Sequence, residues 1–220
     1  MSHSQQYAIP GAIIIAGIII ALAVVFSGGS SSTGEGGGVL EAKVTAVTEQ
    51  DHVQGPEDAE VYLIEFSDFR CGYCGLYHNT VEQLLTEYEG LAWVYRHTPY
   101  QTGGYEAAVA SECVAELGGN DMFWEFVDAA FTDQSALSEE WYRAFAAEKE
   151  LDAEAFAACQ QDTERHDALF GAHVANAQEI GAQGTPYTVL LTKNGDMVKF
   201  SGALPIERVR PLVDRAFSSI

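Results

Sequence analysis

The chain has 220 residues, with 32 Asp and Glu against 11 Lys and Arg, and its formal charge of −21 argues against binding to nucleic acid or to an anionic membrane surface. Hydrophobic residues make up 47% of the chain, so the roughly 180 residues after the first forty can form one globular domain with an ordinary core. The four cysteines are too few for a disulfide scaffold and lack the spacing of a zinc module, and we predict neither a bound metal nor a cofactor.

Residues 8–26 form an uncharged apolar stretch, AIPGAIIIAGIIIALAVVF. As a helix this stretch would span about 28 Å, close to the thickness of a hydrocarbon core. We therefore predict a tail at 1–7 and one transmembrane helix at 8–26 that anchors the protein in the lipid bilayer. A buried core helix is one alternative. A signal peptide cleaved near Ala21-Leu22-Ala23 is another, although no basic residue precedes the apolar stretch.

Residues 27–38, SGGSSSTGEGGG, have the composition of a flexible Gly/Ser linker. A folded domain is predicted at 39–220. Within it, EVYLIEFSD at 60–68 is typical of a buried central strand, apolar residues at helical spacing follow in 74–89, and LAWVYRH at 91–97 is typical of the next strand. This pattern predicts a strand–helix–strand unit.

Between 104 and 180 the composition changes to Ala, Glu, Phe and Leu, which predicts an inserted subdomain of four or five short helices. Asn120 and Ser138 are predicted N-caps of two of them. Cys113 and Cys159 each have apolar companions at helical spacing, and we hypothesise that they form a structural disulfide between two helices. Two unpaired buried thiols and a second redox pair are the alternatives.

The last part of the domain returns to strand patterns. Residues 184–202, GTPYTVLLTKNGDMVKFSG, predict two strands joined by a tight turn at Asn194-Gly195. A closing helix is predicted from about Pro205 to Phe217. The fold class expected for the chain is therefore α/β.

Cys71-Gly72-Tyr73-Cys74 directly follows the first predicted strand. This position places the Cys71 thiol at a helix N-terminus, where free N–H groups and the helix dipole favour a thiolate. Cys71 is thus the predicted nucleophile, and Cys74, one turn inward, is predicted to attack the mixed disulfide that forms. Gly72 and Tyr73 are predicted to contact the substrate and to tune the redox potential. A static cross-link or half of a metal site is the alternative for this motif.

Four stretches together resemble the DsbA-like group of the thioredoxin superfamily. They are EFSDFRCGYCGLYH at 65–78, the helical insertion, GTPYTVL at 184–190 and FSGALP at 200–205. The resemblance covers residues 60–201. It implies a thioredoxin-like fold with an inserted α-helical subdomain.

The same resemblance implies roles for three more residues. Pro186 should be a cis-proline facing the active site, with Thr185 offering backbone hydrogen bonds to a substrate chain; a trans proline is the alternative. Glu65 matches a buried acid beneath the second cysteine, where a raised pKa would let it relay a proton to Cys74. A glutamate reaching solvent is the alternative. Gly72 departs from the group's pattern, in which proline often follows the first cysteine.

We predict that the protein is an enzyme, a membrane-anchored extracytoplasmic protein thiol–disulfide oxidoreductase. Its predicted partners are exported substrate proteins with thiols and a membrane redox partner that reoxidises it. The predicted location is the cell membrane, as a single-pass protein with the redox domain outside the cytoplasm, because disulfides persist in oxidising compartments. The group favours an oxidase. A thiol reductase or isomerase and a non-catalytic thioredoxin-like binding module are the alternatives.

Overall fold

The computed structural model describes residues 44–220. The predicted tail at 1–7, the anchor at 8–26, the linker at 27–38 and the first residues of the predicted domain lie outside these described residues. Within residues 44–220, no helix combines the length and the apolar character that a membrane crossing requires.

The described residues form strands and helices in an alternating order with a helical stretch in the middle. The strands are β1 (His52–Gln54), β2 (Val61–Ser67), β3 (Leu91–His97), β4 (Tyr187–Thr192) and β5 (Met197–Ser201). The helices are α1 (Gly72–Glu87), α2 (Gly104–Gly118), α3 (Asn120–Thr132), α4 (Glu139–Glu148), α5 (Ala153–Gln160), α6 (Thr163–Glu179) and α7 (Ile206–Ser218).

The strands form one mixed sheet in the order β1-β3-β2-β4-β5. β2 and β3 are parallel, whereas the other neighbouring pairs are antiparallel. β2 and β3 lie at the centre because their side chains are largely apolar and buried on both faces. The predicted strand–helix–strand unit is confirmed, since α1 connects these two parallel strands.

Side chains of the central strands alternate between two cores on opposite faces of the sheet. Leu63 and Trp93 belong to a large core that also contains residues of α1, α7 and the helical insertion. Ile64 and Val94 belong to a smaller core that includes residues of α6. Glu65 is two residues after Leu63, so its side chain points to the face that α1 covers.

The predicted insertion is present as the five helices α2 to α6, between β3 and β4. Ser138 caps α4 as predicted, because its hydroxyl accepts a hydrogen bond from the Trp141 N–H. The prediction for Asn120 is wrong: it is the first residue of α3, and the cap is Gly119 at φ +85°. The Asn120 amide instead exchanges two hydrogen bonds with the backbone of Val53 in β1.

β1 has no strand pattern that the sequence makes visible, since its three residues are all half-buried. It forms because its backbone pairs with β3 on one side and with the Asn120 side chain on the other. Gly55 follows at φ +127°, and a Cβ there would lie 2.8 Å from the Leu91 carbonyl oxygen. Glycine therefore allows the chain to pass close to β3.

β4 and β5 form the predicted hairpin. The connection has four residues, Lys193–Asp196, and Gly195 adopts φ +88° within it, as a turn glycine does. The predicted closing helix is confirmed as α7. Its apolar residues pack on the large core, which closes the face of the sheet beside α1.

Cys113 of α2 and Cys159 of α5 are joined by a disulfide. Their Cα atoms are 5.6 Å apart, and both cysteines are buried beside the imidazole of His166. The bond connects two helices of the insertion across a sequence separation of 46 residues. It therefore restricts the unfolded chain over much of the insertion.

Replacing both Cys113 and Cys159 with alanine should lower the free energy of unfolding by up to about 4 kcal/mol, because the unfolded chain regains the freedom of an open loop. Urea denaturation of the two proteins measures this loss. The redox potential of the Cys71–Cys74 pair should stay the same. A variant with unaltered stability, or with a clearly shifted potential, would contradict a purely structural disulfide.

Candidate active site

Cys71 is the N-cap residue of α1 and has extended backbone angles, φ −84° and ψ 114°. Its carbonyl oxygen accepts hydrogen bonds from the N–H groups of Cys74 and Gly75, which start the helix. The first turn contains no acidic side chain, so no carboxylate competes with the thiol for the positive end of the helix dipole. This environment favours a negative charge on the Cys71 sulfur.

The two thiols of the pair differ in burial and in acidity. The pKa of Cys71 is lowered to about 5 by a hydrogen bond with the Cys74 thiol and by the backbone N–H groups of Cys74 and Tyr73. Burial raises the pKa of Cys74 well above its ordinary value, and its side chain is fully enclosed. At neutral pH the reduced pair therefore carries one thiolate, on Cys71, and one thiol, on Cys74.

The Thr185–Pro186 peptide bond is cis and lies immediately before β4. Its approach to the pair is close, since the Thr185 carbonyl oxygen lies 3.4 Å from Cys71 Sγ, where it accepts a hydrogen bond from the protonated thiol. Thr185 and Cys71 line one open groove together with Tyr73, Tyr100 and other residues. These others are Gln101, Gln178, Ala182, Gln183 and Gly184.

Gly72 and Tyr73, the two residues between the cysteines, both lie on the surface. A Cβ at Gly72 would meet nothing within 4 Å, so the space in front of it is open. The Tyr73 side chain is 69% exposed, and Leu76, one turn further, is 66% exposed. Tyr73 lines the groove, and Leu76 adds a second exposed apolar side chain on α1, which suits contact with another protein chain.

Glu65 lies in β2 with 1% of its surface exposed, so its carboxyl group does not reach solvent. Ser67 donates a hydrogen bond to its Oε1 at 2.6 Å. Burial raises the pKa of Glu65 to about 7, against the opposing effects of Ser67 and His78. A carboxyl group with this pKa exchanges a proton readily near neutral pH.

Several buried polar atoms near Glu65 have no hydrogen-bond partner. These are Glu65 Oε2, His78 Nδ1, Trp93 Nε1 and Tyr95 Oη. In the register of β2 and β3, Glu65 pairs with Tyr95, and Leu63 pairs with Trp93. The side chains of these four residues therefore lie on the same face of the sheet.

The loop before Cys71 is held by a side chain of the insertion that the sequence analysis did not single out. Gln134 donates hydrogen bonds to the carbonyl oxygens of Phe69, at 2.7 Å, and Cys71, at 2.9 Å. Arg70 returns a hydrogen bond from its guanidinium to the Gln134 carbonyl oxygen at 2.7 Å. No local sequence signal identifies Gln134, because its partners are more than sixty residues away.

Asp68 holds the other side of the same loop. Its carboxylate accepts hydrogen bonds from the N–H groups of Arg70, at 2.8 Å, and Gln101, at 2.7 Å. A Cβ at Gly104 would lie 2.6 Å from the Asp68 carboxylate, so the glycine permits the close approach of α2. An Asx turn could have been inferred for Asp68, since its acceptor lies two residues before Arg70.

A sequence model of a family described as Thioredoxin matches residues 47–215. The chain belongs to the thioredoxin family. The matched range contains Cys71, Cys74 and Pro186, and it extends from before β1 into α7. The helical insertion lies inside this range.

Solved structures of the thioredoxin superfamily share the fold. The alpha-DsbA1 protein of Wolbachia pipientis aligns with a TM-score of 0.69 and 18% identity over 79% of this chain and 94% of that chain. A thioredoxin-like oxidoreductase from Silicibacter pomeroyi DSS-3 aligns with a TM-score of 0.64 and 25% identity over 78% and 94% of the two chains. The predicted thioredoxin-like α/β fold with a helical insertion, and the resemblance to DsbA-like proteins, are confirmed.

Other relatives are found by sequence similarity alone. The Na(+)/H(+) antiporter NhaA of Herminiimonas arsenicoxydans is 39% identical over 149 residues, which are 67% of this chain and 23% of the antiporter. The chain spans about a quarter of the length of the curated relatives it matches.

The reduced protein should show a thiolate that titrates with a midpoint of about 5, as measured by the ultraviolet absorbance of the thiolate. The Cys74→Ala variant should titrate at higher pH, because the hydrogen bond from Cys74 is lost. The signal should disappear in Cys71→Ser. A midpoint at the ordinary value of 9.0 would show that α1 and Cys74 do not acidify Cys71.

The same shift makes stability depend on pH. Folding lowers the pKa of Cys71 from 9.0 to about 5, so between these values the folded, reduced protein binds fewer protons than the unfolded chain. The stability of the reduced protein relative to Cys71→Ser should rise as the pH increases through this window.

Proposed function

We propose that this protein is a membrane-anchored, extracytoplasmic thiol–disulfide oxidoreductase that donates the Cys71–Cys74 disulfide to exported proteins. The observation that carries this proposal is the contrast between an acidified Cys71 and an enclosed Cys74 in one C-x-x-C pair. The proposed anchor is the apolar stretch at 8–26. It would keep the redox domain near a membrane redox partner.

The low pKa of Cys71 favours the oxidase direction over the reductase direction. A thiolate that is stabilised in the reduced protein makes the disulfide a stronger oxidant, because its reduction is more favourable. The same thiolate is a good leaving group when the mixed disulfide with a substrate is resolved. Both effects direct electrons from substrate thiols to the Cys71–Cys74 pair.

The proposed reaction starts with the attack of a substrate thiolate on Cys71 Sγ in the oxidised protein. The bond between the two cysteine sulfurs breaks, and its electron pair goes to Cys74 Sγ, which takes up a proton. A second substrate thiolate then attacks the substrate sulfur of the mixed disulfide, and Cys71 leaves as a thiolate. The substrate loses two electrons, the protein pair gains two, and the membrane redox partner removes them again.

Glu65 is the proposed proton donor for Cys74. The negative charge of the carboxylate raises the pKa of Cys74 further, beyond the effect of burial, so the two groups interact. With a pKa of about 7, a protonated Glu65 can supply the proton that the leaving Cys74 thiolate requires. The Glu65 carboxylate that remains would then take up a proton from water.

The groove between Cys71 and Thr185 is the proposed substrate site. A peptide that runs along it in an extended conformation could pair its backbone with Thr185, as strands pair at a sheet edge. Tyr73 and Gly72 would face that peptide from the α1 side. We do not assign antiport to this chain, because the matched stretch accounts for 23% of the Herminiimonas arsenicoxydans antiporter.

Replacement of the cysteines should separate their roles. Cys71→Ser should abolish disulfide transfer to a reduced, unfolded substrate protein, because the Cys71–Cys74 disulfide cannot form and the remaining Cys74 sulfur is fully enclosed. Cys74→Ser, mixed with a substrate protein that contains a disulfide, should accumulate a mixed disulfide between Cys71 and the substrate, because the Cys71 thiolate opens the substrate disulfide and no second thiol of the pair releases it. Non-reducing electrophoresis detects this species. Trapping through Cys74 in the Cys71→Ser variant would reverse the assigned roles.

Equilibration with a glutathione buffer should distinguish the three candidate activities. We expect a potential for the Cys71–Cys74 pair more oxidising than about −180 mV, the value of disulfide isomerases. A potential near −270 mV, that of thioredoxin, would favour a reductase. A pair that does not exchange with glutathione would favour a non-catalytic binding module.

Glu65→Gln should slow disulfide exchange about tenfold or more near neutral pH, because the amide cannot give a proton to Cys74. Stopped-flow measurement of substrate oxidation gives the rate. Glu60→Gln is the matched control, since Glu60 lies just before the same strand but pairs with Lys193 at the surface. Equal rates in the Glu65 variant and the control across the neutral range would contradict the relay.

Stability gives a second readout for Glu65. Folding raises its pKa from 4.5 to about 7, so the folded protein binds more protons in this window and becomes less stable as the pH rises through it. Gln lacks this titration. The stability of the variant relative to the native protein should therefore increase from acid to alkaline pH, by up to about 3 kcal/mol.

A further inference from the structure

Three metal-ligating side chains converge away from the cysteine pair. Glu112 of α2 lies between two histidines: its Oε1 is 3.0 Å from Nε2 of His52 in β1 and 2.7 Å from Nε2 of His97 in β3. All three donor atoms lie within 4.8 Å of one another. The proposed oxidoreductase reaction does not use any of these residues.

Packing fixes the orientation of both imidazole rings. The His52 ring stacks on Phe123 with a centroid distance of 3.6 Å and an interplanar angle of 13°. The His97 ring contacts Phe170 at 4.9 Å and is almost fully buried. Since metal sites depend on rings held in one orientation by their surroundings, these contacts prepare the two nitrogens to act together.

The charge at this cluster is not balanced by a lysine or arginine. Among the ion pairs of the described residues, Glu112 pairs with the two histidines alone. A carboxylate oxygen and two imidazole nitrogens therefore meet at a point where one cation could contact all three.

We propose that His52, His97 and Glu112 bind one divalent cation of the zinc type. Two imidazole nitrogens and one carboxylate oxygen are a ligand set that Zn²⁺ accepts, with water in the fourth position. Ligand bonds of about 2.0–2.2 Å in a tetrahedron place donor atoms roughly 3.3 Å apart. The present separations of 3.0 and 2.7 Å need to open by a few tenths of an ångström. The side chains of His52 and Glu112 are 14% and 15% exposed, which gives the ion an entry path.

Two other clusters of ligand type provide comparison. Cys113, Cys159 and His166 lie together, but their cysteine sulfurs are bonded to each other. The third cluster is formed by His78, Glu82 and Asp128, and both of its acids are close to half exposed. Asp128→Asn therefore serves as the matched control, since it removes a carboxylate next to a histidine outside the proposed site.

The test uses the full chain with Cys71 and Cys74 oxidised, so that these thiols cannot bind metal. Zinc added to the metal-free protein should bind with one equivalent in isothermal titration calorimetry. At a free zinc concentration of one hundred times the dissociation constant, the melting temperature should rise by roughly 5–10 °C. Co²⁺ in place of zinc should give the visible absorption of a four-coordinate site.

Glu112→Gln and His52→Asn should each weaken zinc binding at least about 100-fold, more than the loss of an outer-shell partner causes. Asp128→Asn should bind like the native protein. His52 lies at the sheet edge, so its variant can be studied if the Glu112 variant does not fold. The proposal is overturned if the native protein binds no zinc in the oxidised form, or if His52→Asn retains native affinity. Disulfide exchange at Cys71 is measured separately, and either result leaves the proposed oxidoreductase activity unaffected.

Discussion

The antiparallel register between β2 and β4 is the constraint on which the site depends. It pairs Phe66 with Tyr187, and because the two strands run in opposite directions, the end of β2 meets the start of β4. Cys71 and Thr185 are thereby brought to one edge of the sheet, at 3.4 Å. Side chains alternate along each strand, so a shift of one residue would turn Glu65 to the other face of the sheet.

The depth of burial determines how the pKa values of the ionisable groups at this edge of the sheet are shifted. Hydrogen bonds lower the pKa of Cys71, whereas burial raises the pKa of Cys74 and of Glu65, which lie deeper. A carboxyl group in a central strand lowers the stability of the fold relative to an apolar residue. The large apolar core around Glu65 offsets this loss of stability. The arrangement is typical of sites in which function, rather than packing, selects the residue.

The sequence predicts best what depends on local patterns. β2, α1 and β3 follow from apolar runs and helical spacing, and the Ser138 cap follows from its position before a helical pattern. β1 and the role of Asn120 could not be predicted in this way, because the amide of Asn120 pairs with Val53 across 67 residues. The same holds for the approach of Glu112 to two histidines on neighbouring strands. Contacts of this kind depend on how the insertion packs, because Asn120 is 67 residues from Val53 and Glu112 is 60 residues from His52.

Through Gln134, the helical insertion helps to hold the active-site loop in place. Its amide holds the carbonyl oxygens of Phe69 and Cys71, and the Arg70 guanidinium closes the bridge in the opposite direction. The segment between α3 and α4, which contains Gln134, therefore positions the loop that presents the nucleophile. A chain shortened to the sheet, α1 and α7 would keep both cysteines but lose the hydrogen bonds to the carbonyl oxygens of Phe69 and Cys71. The backbone that holds Cys71 at the start of α1 would then have to be fixed by other contacts.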